Sequence, residues 1–241
     1  SMAAHLENKG ITVLDQVGIA QKGGAVLSHI RIAQNQNAIF SAQIPNQSTN
    51  LLLGCDMVVS SSKDVKSLIN QNITNSIIND NMTPVAQSVL NPDFFYDTSL
   101  TKKIVKDTTL SADFLNASEI STKLFGNSIF GNIFLVGYCI QKNLIPISIK
   151  SFEEAIRLNK SNIKENLNAF IWGRIAANDQ NVLLKHLGLN KNKELTILEK
   201  INNKYEDLKL YKNKNYAEQF LSIVNSFKEK ELEMKIKHLK L

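Results

Sequence analysis

Cysteine, histidine and arginine are all scarce in this chain of 241 residues, and each shortage excludes a class of chemistry. The two cysteines, Cys55 and Cys139, stand apart in apolar surroundings, "LLLGCDMVV" and "LVGYCIQK", with no Cys-x-x-Cys spacing. That context predicts two buried, unbridged thiols rather than a disulfide, an iron–sulfur cluster or a zinc site. Four scattered histidines do not supply a metal centre either. The net charge of +6 comes almost wholly from lysine, with arginine only at Arg31, Arg157 and Arg174. Nucleic-acid readers concentrate arginine and interleave aromatics, so nucleic acid is not an expected partner. The longest apolar run, "IFLVGYCI" at 133–140, falls far short of the roughly 20 residues a membrane span needs. No membrane segment is expected. The opening "SMAAHLENKG" has neither the basic start nor the apolar stretch of a signal peptide, so a cytoplasmic location is the expectation, and Ser1 ahead of Met2 reads as a cloning remnant.

What is present falls into two regimes. A hydrophobic content of 43% suffices for one sizeable core, or for one α/β domain with a smaller helical piece. Up to about residue 150, short strand-like and helix-like pieces alternate, the pattern of an α/β domain. Expected strands are Ile11–Leu14, Ala25–Ile32, Met57–Ser60, Ser76–Asn79 and Thr108–Ala112. Ser62-Lys63-Asp64 predicts a helix start running through Ile69, and "DTSLTKKIV" offers Asp97 or Ser99 as a cap for another. Ile129, Ile133, Val136, Gly137 and Ile140 recur at helical spacing, predicting a largely buried helix that Pro146 follows. After Ser151 the strand signal vanishes. "SFEEAIRLN" reads as a capping box of Ser151 and Glu154, and "NIKENLNAFIWGRIAAND" places Ile163, Leu167, Phe170, Ile171 and Ile175 on one face. Two further amphipathic helices are expected from Glu194 to Leu210 and from Tyr216 onward, the second with Phe220, Leu221, Val224, Phe227, Leu232 and Ile236.

The ends are abrupt. "MAAHLENKG" reads as the tail of a helix closed by Gly10 as C-cap, and "EMKIKHLKL" stops within an amphipathic helix. The expectation is a fragment of a longer protein, with apolar faces at both ends that favour self-association.

"MAAHLENKGITVLDQVGIAQKGGAVLSHIRIA", "LLLGCDMVVSSS", "FGNSIFGNIFLVGYCIQKNLIPISIKSFEEAIRLN" and "NLNAFIWGRIAAND" together resemble the gamma-type domain of 2-oxoacid:ferredoxin oxidoreductases, above all that of the fused bacterial indolepyruvate ferredoxin oxidoreductases. The resemblance covers Met2 to Asp179. It implies a Rossmann-like, mostly parallel sheet with flanking helices, lacking the family's first strand and glycine-rich turn, over residues 1–179. An all-helical extension follows over 180–241. It also implies a full enzyme that uses thiamine diphosphate and Mg to decarboxylate an indolepyruvate-like 2-oxoacid, iron–sulfur clusters to pass electrons to ferredoxin, and CoA to take up the acyl group. None of these groups is expected on this chain alone, whose partners would be the other domains of the same long chain. Asn50, where the family often has an acid, is a departure.

Within this resemblance "AQKGGAVLSH" corresponds to a loop facing the substrate and CoA. Gly23 and Gly24 allow backbone amides to approach a ligand, and Lys22, beside Gln21, supplies a mobile charge. In the strand that follows, alternation puts Val26, Ser28, Ile30 and Ile32 on one face and Leu27, His29 and Arg31 on the other. The same residues also fit a plain turn, a satisfied histidine and an arginine anchor. Asn127, Ser128 and Asn132 in "GNSIFGN" either cap the buried helix or meet a ligand at its positive end. No residue of the chain is expected to be catalytic in itself.

Overall fold

A computed structural model of the protein describes residues 1–17, 26–81, 97–188 and 197–238. The chain forms two compact units, Ser1–Gly188 and Leu189–Leu241.

The first unit opens with the short helix α1 (Met2–Leu6), followed by an antiparallel pair, β1 (Gly10–Val17) and β2 (Val26–Ala33). A separate sheet follows from β3 (Leu51–Gly54), the helices α2 (Met57–Ser60) and α3 (Lys63–Leu68), then β4 (Asn75–Asn79), α4 (Thr98–Thr108) and β5 (Ser111–Leu115). Its order is β3-β4-β5, all parallel, as helical crossovers require. Helices α5 (Ala117–Phe125), α6 (Gly131–Gln141), α7 (Ile149–Asn159), α8 (Ile163–Asn178) and α9 (Gln180–His186) complete the unit. The expected parallel sheet flanked by helices, with a helical C-terminal part, is what the chain forms.

Strand alternation sends the sheet's side chains into two cores. Ile77 and Leu115, with Leu51 and Leu53, meet Phe134, Leu135, Tyr138 and Cys139 of α6, and Leu183 of α9 packs there too. Leu52 and Ile78 face the opposite side, against Met57, Val65, Ile69 and Val105, with Leu27 of β2 on the rim. The sheet is therefore buried on both faces, as parallel sheets are. Helices α6 and α8 cross closely because each offers a glycine. A Cβ on Gly137 would stand 2.1 Å from Phe170 O, and one on Gly173 would stand 1.9 Å from Phe134 O.

Several sequence expectations need correction. Met57–Ser60 is a helix, since Asp56 caps it through Val59 N at 2.8 Å and Leu51–Gly54 takes the strand place beside β4. Thr108 ends α4, so the fifth strand starts later, at Ser111. Helix α7 is capped by Ser148 through Ser151 N at 3.2 Å, which leaves Ser151 inside the helix. Gly10 is the first residue of β1, and the left-handed residue after α1 is Asn8 (φ 54°). A Cβ on Gly10 would lie 2.3 Å from Asn35 O, so close backbone approach is what calls for glycine there. On α8 the buried face centres on Ala169, Phe170, Gly173 and Ala176, with Ile163 and Ile171 exposed. Cys139 is buried as expected, but Cys55 is exposed.

In the second unit α10 (Ile197–Tyr211) and α11 (Lys214–His238) pack on each other, and among the described side chains Ala217 is the one fully buried there. Among the described residues no helix is long and apolar enough to cross a membrane.

Candidate functional site

Ligands of open α/β sheets enter outside the carboxyl ends of the strands. At that edge here, one buried amide joins all three strand exits. Asn79, last in β4, donates Nδ2–H to Cys55 O (3.1 Å) and Ser118 Oγ (2.9 Å), and its Oδ1 accepts from the backbone N–H of Ser118 and Asn81, both at 3.4 Å. The loops after β3 and β4 and the first turn of α5 are thus fixed relative to one another. Asn116 caps α5 through Glu119 N at 3.0 Å, and its Nδ2–H donates to Glu119 Oε2 at 2.8 Å, a side-chain pair that holds the cap in place. Gly54 leaves room for the Ser60 side chain, since a Cβ would lie 2.1 Å from Ser60 Oγ and the hydroxyl would have to turn away. Asn79, Asp80, Asn116 and Ser118 escaped the sequence reading. The signal for them was the short polar run that ends each apolar strand, "SIINDN" and "FLNAS".

The sequence-predicted residues divide. Gln21, Lys22, Gly23 and Gly24 lie outside the described residues. Ser28, His29 and Arg31 sit on β2 with the expected alternation, His29 buried and Ser28 exposed. Ser28 donates to Asp15 Oδ1 across the pair at 2.6 Å. His29 Nδ1 accepts the Ile44 N–H at 3.2 Å, which puts the imidazole proton on Nε2, a buried atom without a hydrogen-bond partner among the described residues. Arg31 donates Nη1–H to Ser41 O at 2.8 Å. Both polar side chains of that face, His29 and Arg31, therefore hold the 41–44 segment. At the helix end, Asn127 Oδ1 accepts from Ile129 N at 3.0 Å and caps the turn before α6, while Ser128 and Asn132 are exposed.

Beside the carboxyl edge runs an open groove of about 340 Å³, lined by residues 112–115 of β5, Lys102 and Lys106 of α4, Tyr138, Gln180 and Asp80. Lys102 pairs with Asp80 at 2.5 Å, and Lys142 with Asp113 at 3.0 Å. Tyr138 donates to the same Asp113 oxygen at 2.9 Å. Burial, reinforced by the Asp113 charge, raises the Tyr138 phenol well above its ordinary range. Burial likewise pushes the Cys139 thiol up to about 12. Among the described residues no three His, Cys, Asp or Glu side chains are grouped so as to hold a metal ion.

This architecture has relatives of known structure. A pyruvate oxidoreductase subunit from Thermotoga maritima matches with 13% identity over 72% of this chain and 83% of its own, at a TM-score of 0.49. The gamma subunit of a keto/oxoacid ferredoxin oxidoreductase from Geobacter sulfurreducens matches with 14% identity over 73% and 85%, at 0.46. The 2-oxoglutarate:ferredoxin oxidoreductase from Magnetococcus marinus, solved with 2-oxoglutarate, coenzyme A and succinyl-CoA bound, matches with 15% identity at a TM-score of 0.52. That match covers 73% of this chain but 27% of the other. No curated protein matches the sequence. The family model of pyruvate ferredoxin/flavodoxin oxidoreductases matches residues 1–176, which takes in both sheets and every strand exit described above. The chain belongs to that family.

Proposed function

We propose that this chain is the accessory, gamma-type domain of a thiamine-diphosphate-dependent 2-oxoacid:ferredoxin oxidoreductase. In this reading it helps to form the substrate and CoA side of the active site during oxidative decarboxylation to an acyl-CoA. The observation that carries the reading is the clipped carboxyl edge within a family-matched α/β unit: Asn79 holds three loops in register where such sheets meet their ligands. Indolepyruvate or a related aryl 2-oxoacid is the proposed substrate, on the strength of the quoted sequence segments.

Thiamine diphosphate, when bound, supplies the carbanion stabilisation that decarboxylation requires. The donor set of the described residues does not suit that cofactor's Mg or an iron–sulfur cluster. One thiol is exposed, the other is buried and held protonated, and no carboxylate group of the described residues converges on a metal position. Those groups are assigned to other domains of the full enzyme, with ferredoxin as electron acceptor, and the isolated chain is expected to show no turnover. Its own contribution is positional: Lys22 offers a charge to a carboxylate or phosphate, and Gly23 and Gly24 let backbone amides approach. A second reading, an assembly module without ligand contact, is favoured by the commitment of His29 and Arg31 to the 41–44 segment.

In the full-length enzyme, Lys22→Met is expected to weaken CoA or 2-oxoacid binding by about 1–2 kcal/mol, the range of a partly exposed charge-assisted hydrogen bond. The loss should shrink as salt rises. CoA titration followed by Trp172 fluorescence, with steady-state kinetics, measures it. Unchanged Michaelis constants and turnover at low salt would hand the case to the assembly reading.

A further inference from the structure

The free edge of β5 carries an inference that does not rest on the proposed function. Asp80 N donates to Leu115 O at 3.0 Å, and Asn75 N donates to Asn50 O at 2.9 Å. With the parallel register Ile77↔Asp113 and Asn79↔Leu115, residues 113 and 115 turn their backbone toward β4. Ala112 and Phe114 therefore turn their N–H and C=O outward, and no described element pairs with them. This edge is the floor of the 340 Å³ groove, whose walls come from both helical layers, α4 on one side and Tyr138 and Gln180 on the other. An edge set in a trough of that kind suits one more extended strand.

Charge decides which strand. Lys102 and Lys142 are neutralised by Asp80 and Asp113, whereas Lys106, its Nζ 6.0 Å from the Phe114 ring centroid, has no carboxylate partner among the described residues. One uncompensated cation beside the edge favours a strand that carries a carboxylate. It disfavours a second copy of this chain, which would bring its own Lys106 and a net charge of +6 to the same place. We infer that β5 accepts an acidic extended segment of a partner protein by strand addition, with Ala112 and Phe114 supplying the backbone hydrogen bonds and Lys106 meeting the acidic side chain.

The probe is a capped five-residue peptide of alternating Val and Thr with a central Glu, compared with the same peptide carrying Lys, against the whole chain in amide-exchange NMR. At about twice its Kd the acidic peptide should slow exchange at Ala112 and Phe114 about threefold, leaving Asp113 and Leu115 unchanged. Lys106→Glu should transfer the preference to the Lys peptide, and N-methylation of the acidic peptide should abolish the effect. The proposal is overturned by protection of Ala112 and Phe114 before any peptide is added, at low or high chain concentration. Equal response to the two peptides, or shifts confined to other residues, overturns it as well. Since Lys106 is exposed, its reversal leaves the fold intact, and Trp172 fluorescence checks this.

Discussion

The crossing of α6 and α8 allows a sharp test of how this fold is held. Replacing Gly173 by Ala adds one methyl group, which would stand 1.9 Å from Phe134 O, where real contacts of this kind do not fall below 3.0 Å. The helices must therefore part by about 1 Å, a gap that forfeits a quarter to a half of each contact's dispersion well along the seam. That seam includes Phe134 and Phe170, both fully buried. Helix propensity alone favours Ala over Gly by about 1 kcal/mol. Overpacking costs about 1–3 kcal/mol and lost seam contacts add to it, so a net destabilisation of about 2 kcal/mol is expected. For a folded unit of this size that lowers Tm by about 4–8 °C. Trp172 lies beside the substituted residue, its ring centroid 4.3 Å from that of His186, and reports unfolding in urea or heat. Gly126→Ala is the control: its φ of +75° strains an alanine, but nothing lies within 4 Å, so only roughly 1 kcal/mol should be lost. If Gly173→Ala proves as stable as that control, or more stable than the wild type, close packing does not govern this crossing.

Three further outcomes are expected. Lys9 and then Ser148 hold the Glu7 carboxyl down to about 2, so its stabilising contribution is complete above the ordinary value of 4.5 and is lost as pH falls toward 2; Glu7→Gln should flatten the stability profile in that window, measured by urea unfolding at stepped pH. Because the Tyr138 phenol is raised, the folded state keeps its proton where the unfolded chain releases it, so stability should fall as pH rises above about 10; Tyr138→Phe should reduce that loss and remove one late-appearing phenolate from an ultraviolet titration. Burial and then the Asp56 charge raise the Cys55 thiol, so a thiol reagent at pH 8 should modify the exposed Cys55 more slowly than a free cysteine and leave Cys139 untouched until unfolding, and Cys55→Ser should abolish the reaction in the native state.

The sequence was legible where a single local signal decided the outcome. Ser62 accepts from Val65 N as an N-cap should, and α3 begins there; of the two caps offered for α4, Asp97 and Ser99, it is Asp97 that accepts from Leu100 N. It misled where two local signals competed. Val58 and Val59 favour a strand, but Asp56 two residues upstream offers a cap, and the short apolar "LLLG" already fills the sheet position. Likewise Ser148 and Ser151 are both plausible caps, and the turn at Pro146 and Ile147 places the earlier one at the helix start.

The candidate site was less legible because its decisive contacts join residues far apart in the chain. Alternation along β2 correctly assigned His29 and Arg31 to one face, yet nothing in "LSHIR" announces that this face would meet the backbone of residues 41–44. The spacing gives the side, and only the fold gives the partner. Asn79 is the opposite case: a strand-end asparagine among many in a chain rich in that residue, it acquires meaning when β3, β5 and α5 bring Cys55 and Ser118 to its amide. An amide with both donor hydrogens and its acceptor oxygen engaged cannot be replaced by an isosteric carboxylate without loss of the two donated bonds. A polar residue closing an apolar strand at the carboxyl edge of a parallel sheet is therefore a feature to seek, beside a glycine pair or a solitary histidine, when such a site must be found from sequence.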